Sequence, residues 1–147
     1  MTGVSPLRLW VMRAMYLIMA LGIGNMIWPL ILSHASTVPR MTGVAWSLIG
    51  TIGLLALLGL RYPLQMLPLL LVELTWKAIW LAAFALPRWL DGTLDAAMRT
   101  SVFETSFGAL LLLVIPWRYL WANYVLRPGD PWTRPWGSAR PSADAAS

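Results

Sequence analysis

No cysteine occurs among the 147 residues of this chain, and histidine and lysine occur once each. The missing cysteines exclude disulfides, thiolate metal sites and dithiol redox chemistry, so a quinone-linked thiol oxidoreductase is ruled out. The single histidine, His34, cannot build a metal site without carboxylates placed around it, and neither a metal nor a cofactor is expected. Acidic residues are scarce as well: six Asp and Glu stand against eleven Lys and Arg, a net charge of +5. The basic residues do not gather into one face, so nucleic acid is not the expected partner. No nucleophile and base, metal cluster or phosphate loop can be assembled from these residues, which makes an enzyme the weakest functional class.

Apolar residues are abundant. They make up 59% of the chain, against only 12% charged, and a soluble domain holds about 45–50%. Four runs reach the roughly 17 to 25 residues needed to cross a hydrocarbon core about 30 Å thick: residues 12–32, 41–60, 64–86 and 102–119. The expectation is an all-α fold, a polytopic membrane protein whose four transmembrane helices form a bundle over residues 1–126. The prolines, glycines and serines from Pro128 onward predict a disordered cytoplasmic tail over residues 127–147. Trp132 and Trp136, beside Arg134, would let that tail rest on anionic lipid.

With an even number of spans, both termini and the Arg61-Tyr62-Pro63 turn share one side. That side carries Arg8, Arg13, Arg61, Arg118, Arg127, Arg134 and Arg140, and the other only Arg40, Arg88 and Arg99. Such a bias places both termini in the cytoplasm and argues against dual topology. Ser33-His34-Ala35 faintly resembles a signal cleavage site, yet the run before it exceeds the 7 to 15 residues of a signal core, so an uncleaved first span is expected.

Each span has its own markers. In the first, Gly22, Gly24 and Asn25 precede Trp28-Pro29, read as its outer end. The second carries Gly43, Ser47 and Thr51 at i, i+4 spacing with Gly50, Gly53 and Gly59, a small-residue pattern that lets helix backbones approach closely and suggests a central helix. A three-residue turn should then start the third span at Leu64, just after Pro63. Asp91-Gly92 reads as a turn in the longest outer loop. Ser101-Val102-Phe103-Glu104 fits a capping box ahead of the fourth span, which ends near Pro116, and the aromatics from Trp117 to Tyr124 read as an interfacial belt.

The third span holds Glu73 and the chain's one lysine, Lys77, in its apolar interior. Its eleven Leu, Ile, Val and Phe contribute about 3 to 7 kcal/mol toward insertion, and two isolated central charges would oppose this by about 5 to 7 kcal/mol. The span therefore depends on neutralising the pair. Glutamate four residues before lysine is the favourable helical order for a salt bridge, and protonation of the carboxylate is the other route to neutrality. Trp80 could cover the ammonium as a cation–π partner, with Trp76 at the edge of the same stripe. Counted from Leu64, Glu73 and Lys77 fall at depths of about 14 and 20 Å. Asn25, Ser47 and Thr51 come out near that level and Glu104 nearer the outer surface, so the candidate polar intramembrane site is Glu73, Lys77, Trp76, Trp80, Asn25, Ser47, Thr51 and Glu104. The plainer expectation is interhelical packing for Asn25, a cap for Glu104 and solvent for His34.

The stretch RYPLQMLPLLLVELTWKAIWLAAFALPRW, followed by VIPWRYLWANYV, resembles a group of small bacterial four-helix inner-membrane proteins that carry no assigned function. The resemblance spans Leu7 to Leu126, and ELTWKAIW is its most specific piece. It implies a fold and a membrane location and transfers no catalytic residue. In layout the chain is also similar to DoxX-like four-helix membrane proteins. Small multidrug-resistance exporters share four spans and a buried glutamate, but theirs lies in the first helix without a lysine paired to it.

These readings lead to a non-enzymatic accessory or scaffold protein whose third span packs within the bundle or against another membrane protein. The expected partners are the lipid bilayer and either another membrane protein or a second copy of the chain. The alternative is a small transporter or a binder of lipophilic ligands using the same polar site.

Overall fold

The computed structural model describes residues 3–129, and the described chain is helical, without a strand among those residues. Helix α1 runs Pro6–His34, α2 Arg40–Arg61, α3 Leu67–Leu90 and α4 Ala96–Val114. All four are long and apolar enough to cross a membrane. A short α5, Trp117–Leu120, continues into one π turn, Trp121–Val125. The tail expected to be disordered lies, from residue 130 onward, outside the described residues.

Several boundaries differ from the sequence expectation for identifiable reasons. Helix α1 begins before Arg8, with Pro6 in its first turn, where a missing N–H costs nothing, and Ser5 Oγ accepting from the Arg8 amide at 3.3 Å. It also passes through Pro29, which removes one backbone donor without ending the helix, and stops only at His34. Helix α3 starts at Leu67 rather than Leu64. Residues 62–66 form a turn closed by Met66 N–H to Tyr62 O at 3.0 Å, and the proline in the first helical turn is Pro68, not Pro63.

The capping box at Ser101 is not formed. Helix α4 starts a turn and a half earlier, capped by Asp95, whose Oδ1 accepts from the Met98 amide at 2.7 Å. Ser101 is then inside the helix and donates to Ala97 O at 3.2 Å, while Glu104 is exposed and caps nothing. An Asp at a helix start competes well with a Ser, and the residues that follow Asp95 simply join the span. The Asp91-Gly92 turn does form. Gly92 has φ +67°, and the bonds Thr93 N–H to Arg88 O (2.9 Å) and Gly92 N–H to Trp89 O (3.2 Å) close α3 in a Schellman motif.

The helices form a ring in which each packs on its sequence neighbours and α1 closes against the end of α4, so α2 is not central. The most extensive interface is α1 against α2. Gly50, Gly53 and Gly59 make it possible: a Cβ on Gly53 would lie 2.9 Å from Ile23 Cγ2, one on Gly50 would lie 3.3 Å from Ile31 Cδ1, and one on Gly59 would run into the Tyr16 ring. The apolar core gathers at the end holding the start of α1, with Met12, Tyr16, Leu67, Leu70, Leu111 and Ile115 fully buried. Arginine and tyrosine of α1 secure that end. Arg8 donates to Ile115 O at 2.8 Å, Arg13 Nε to Leu60 O at 3.1 Å, and the Tyr16 hydroxyl to Pro63 O at 3.0 Å. The first two are carbonyls at the ends of α4 and α2, where helical partners run out, and the third belongs to the turn after α2.

Gly59→Ala is expected to destabilise the fold by about 1 to 3 kcal/mol through the collision with Tyr16. Gly22→Ala meets nothing within 4 Å and should be neutral or stabilising by up to about 1 kcal/mol. Unfolding in detergent micelles followed by circular dichroism measures both, and equal effects at the two positions would contradict the close α1–α2 packing.

Candidate functional site

Glu73 lies in the second turn of α3, about 9 Å along the helix from Leu67, and is 4% exposed. The later start of α3 thus brings it nearer the arginine-rich end than a count from Leu64 suggests. Both carboxylate oxygens are occupied by donors of the same helix. Lys77 Nζ lies 3.0 Å from Oε1, and the Trp76 indole Nε1–H donates to Oε2 at 2.7 Å. The i+3 and i+4 positions of a helix both face back toward residue i, so one turn supplies an anion, a cation and a neutral donor.

The ammonium is also 5.4 Å from the centroid of the Trp76 ring. This corrects the expectation for Trp80: the cation–π partner of Lys77 is Trp76, which therefore serves the pair twice, by its N–H on the carboxylate and its π face toward the ammonium. Lys77 leads its stem across α4. A Cβ on Gly108 would come within 2.5 Å of Lys77 Cδ, so glycine at that position makes room for the side chain. There α4 tightens into one 3-10 turn, Phe107–Ala109. Sequence reasoning missed Gly108, although a lone glycine in an apolar span is a usable signal of close approach. It also missed Thr105, buried one turn earlier on the same helix.

The other predicted site residues do not join the carboxylate. Ser47 donates to Gly43 O at 2.9 Å and Thr51 to Ser47 O at 2.8 Å, each an exposed hydroxyl bonded back into its own helix. Asn25 and Glu104 are exposed. Exposed His34 shares its Nδ1 with Ser33 Oγ at 2.6 Å. The four-helix polar cluster is thus reduced to one turn of α3. Among the described residues no group of three His, Asp, Glu or Cys side chains is placed to hold a metal ion.

Beside the pair, α2 and α3 diverge and leave an apolar groove of about 640 Å³. Leu48, Thr51 and Leu55 form one wall and Val72, Trp76 and Trp80 the other. Thr51 and Trp80 therefore line the opposite walls of this groove rather than surrounding Glu73. No protein-family model, curated protein or solved structure matches this chain.

Lys77→Leu should cost about 3 to 5 kcal/mol, since it strands a buried carboxylate with only Trp76 as donor. Glu73→Leu should cost less, because the Lys77 side chain is already 18% exposed and its long stem can carry the ammonium toward a wetter level. The double variant Glu73→Leu/Lys77→Leu should lie near wild type, as apolar replacement of a buried pair often does. A double-mutant cycle by unfolding in micelles decides the matter: a double variant costing the sum of the two singles would mean that the pair is not a unit.

Proposed function

We propose that this chain is a small integral protein of the bacterial inner membrane, with four spans and both ends in the cytoplasm, acting as a non-enzymatic accessory or scaffold subunit. Its topology follows from charge. Arg8, Arg13, Arg61, Arg118 and Arg127 gather at the end formed by the start of α1 and the finish of α4. Arg40, Arg88 and Arg99 at the other end share it with Asp91, Asp95 and Glu104. The resemblance to small bacterial four-helix inner-membrane proteins supports the same placement.

The observation that carries the scaffold reading is the neutralisation of Glu73 within its own helix. Lys77 and Trp76 each hold one carboxylate oxygen from within the same helix, so the pair is neutralised without a substrate. Next to it the α2–α3 groove presents an almost wholly apolar surface, which a membrane-spanning helix can cover by van der Waals packing. That helix would come from another membrane protein or from a second copy of the chain.

The lack of cysteine gives a clean test. Val72→Cys, in the groove wall and 52% exposed, carrying a photoreactive maleimide, is expected to cross-link to protein in native membranes, whereas Leu113→Cys on α4, 77% exposed, is not. Cross-linking from both positions alike, or from neither, with a strictly monomeric purified protein, sinks the scaffold reading.

The groove's volume also favours a second reading, in which a lipophilic small molecule occupies it and the protein binds or transports that ligand. Its signature is ligand binding or flux whose pH dependence Glu73→Gln removes; unchanged activity in that variant would exclude a proton-coupled role.

A further inference from the structure

At the arginine-rich end a cavity of about 230 Å³ lies between the segment that starts α1 and the break after α4. Gly3, Val4, Ser5 and Arg8 line one side, and Pro116, Arg118 and Tyr119 the other. The break creates it. Ile115 is extended, at φ −63° and ψ 124°, and buried Pro116 turns the chain before α5 begins, which brings Arg118 and Tyr119 alongside the start of α1.

The two arginines are held differently. Arg8 is fixed by its bond to Ile115 O at 2.8 Å and a longer one to Leu113 O at 3.5 Å, and a guanidinium with five N–H donors keeps others free. Arg118 makes no ion pair among the described residues, where the Glu73–Lys77 bridge stands alone. Nor is a carboxylate near among the described residues. Of the acidic residues among those described, Glu73 is paired within α3, and Asp91, Asp95 and Glu104 belong to the opposite end. Two cations thus face one concavity with no carboxylate among the described residues to balance them. Trp10, Trp117, Trp121 and Tyr124 stand exposed around the same end, the aromatic composition of a headgroup layer.

We propose that this cavity binds a phosphate ester anion, supplied by the headgroup of an anionic phospholipid of the cytoplasmic leaflet. The planar fork of arginine matches phosphate oxygens in pairs. A basic pocket between helices at the cytoplasmic surface is where anionic headgroups are held in place of their counterions. The site rests on the membrane placement proposed above and is independent of the scaffold role.

Native mass spectrometry of the full chain, released from micelles loaded with equal phosphatidylglycerol and phosphatidylcholine, tests it. Wild type is expected to retain phosphatidylglycerol preferentially. Arg118→Gln should lower that retention about fivefold, and Arg127→Gln, at the same end but outside the cavity, by less than about twofold. Equal losses in the two variants would overturn the site in favour of a diffuse surface attraction. Displacement of the lipid by inorganic phosphate would overturn the lipid as the source. Release of the chain from membranes by alkaline carbonate would overturn the membrane placement and the site together, whereas an integral protein retaining both lipids equally would overturn the site alone.

Discussion

A carboxylate buried among leucines must find donors or lose its charge, and the neighbourhood of Glu73 is arranged around that requirement. The donors come from the next turn of the same helix, Trp76 at i+3 and Lys77 at i+4. This choice has consequences on both flanks. Toward α4, the lysine stem needs space, and Gly108 supplies it where that helix tightens. Toward α2, the indole pinned by Glu73 becomes a wall of the open groove. The polar centre is therefore neutralised within α3, and beside it lies an apolar surface shaped by tryptophan.

The other organising feature is the set of α1 side chains at the arginine-rich end. Helices α2 and α4 both finish at the arginine-rich end, where their last carbonyls lack helical partners. Arg13 and Arg8 meet those carbonyls, and Tyr16 meets the turn that follows α2. The same arginines that the positive-inside rule reads as orientation signals therefore also tie the first helix to the second and fourth. Their charge is not cancelled by any carboxylate at that end among the described residues, so the side chains that pack the bundle also leave that end positive.

Much of the fold was legible from residue order. Run length and hydropathy located the four apolar helices, and the spacing of Gly50, Gly53 and Gly59 announced a close helix contact, which proved to be with α1. Boundaries were harder wherever two signals competed: Pro63 against Pro68 for the start of α3, and Ser101 against Asp95 for the cap of α4. Local rules rank such signals without deciding between them, since the winner depends on which turn also buries its neighbours. Pro29 misled for a related reason, because one lost hydrogen bond does not outweigh the packing that continues on either side of it.

Within the site, the sequence by itself determined the salt bridge, since Glu73 and Lys77 are one helical turn apart whatever surrounds them. It also determined the uneven distribution of arginine. Only the tertiary structure decided that Trp76 rather than Trp80 completes the pair and that Ser47 and Thr51 spend their hydroxyls on their own helix. The same holds for Gly108 admitting the lysine and for the groove that opens between α2 and α3. The physical reason is range: an i to i+4 contact is set by helix geometry alone, whereas a rotamer choice or a contact between helices depends on neighbours whose positions no local pattern carries.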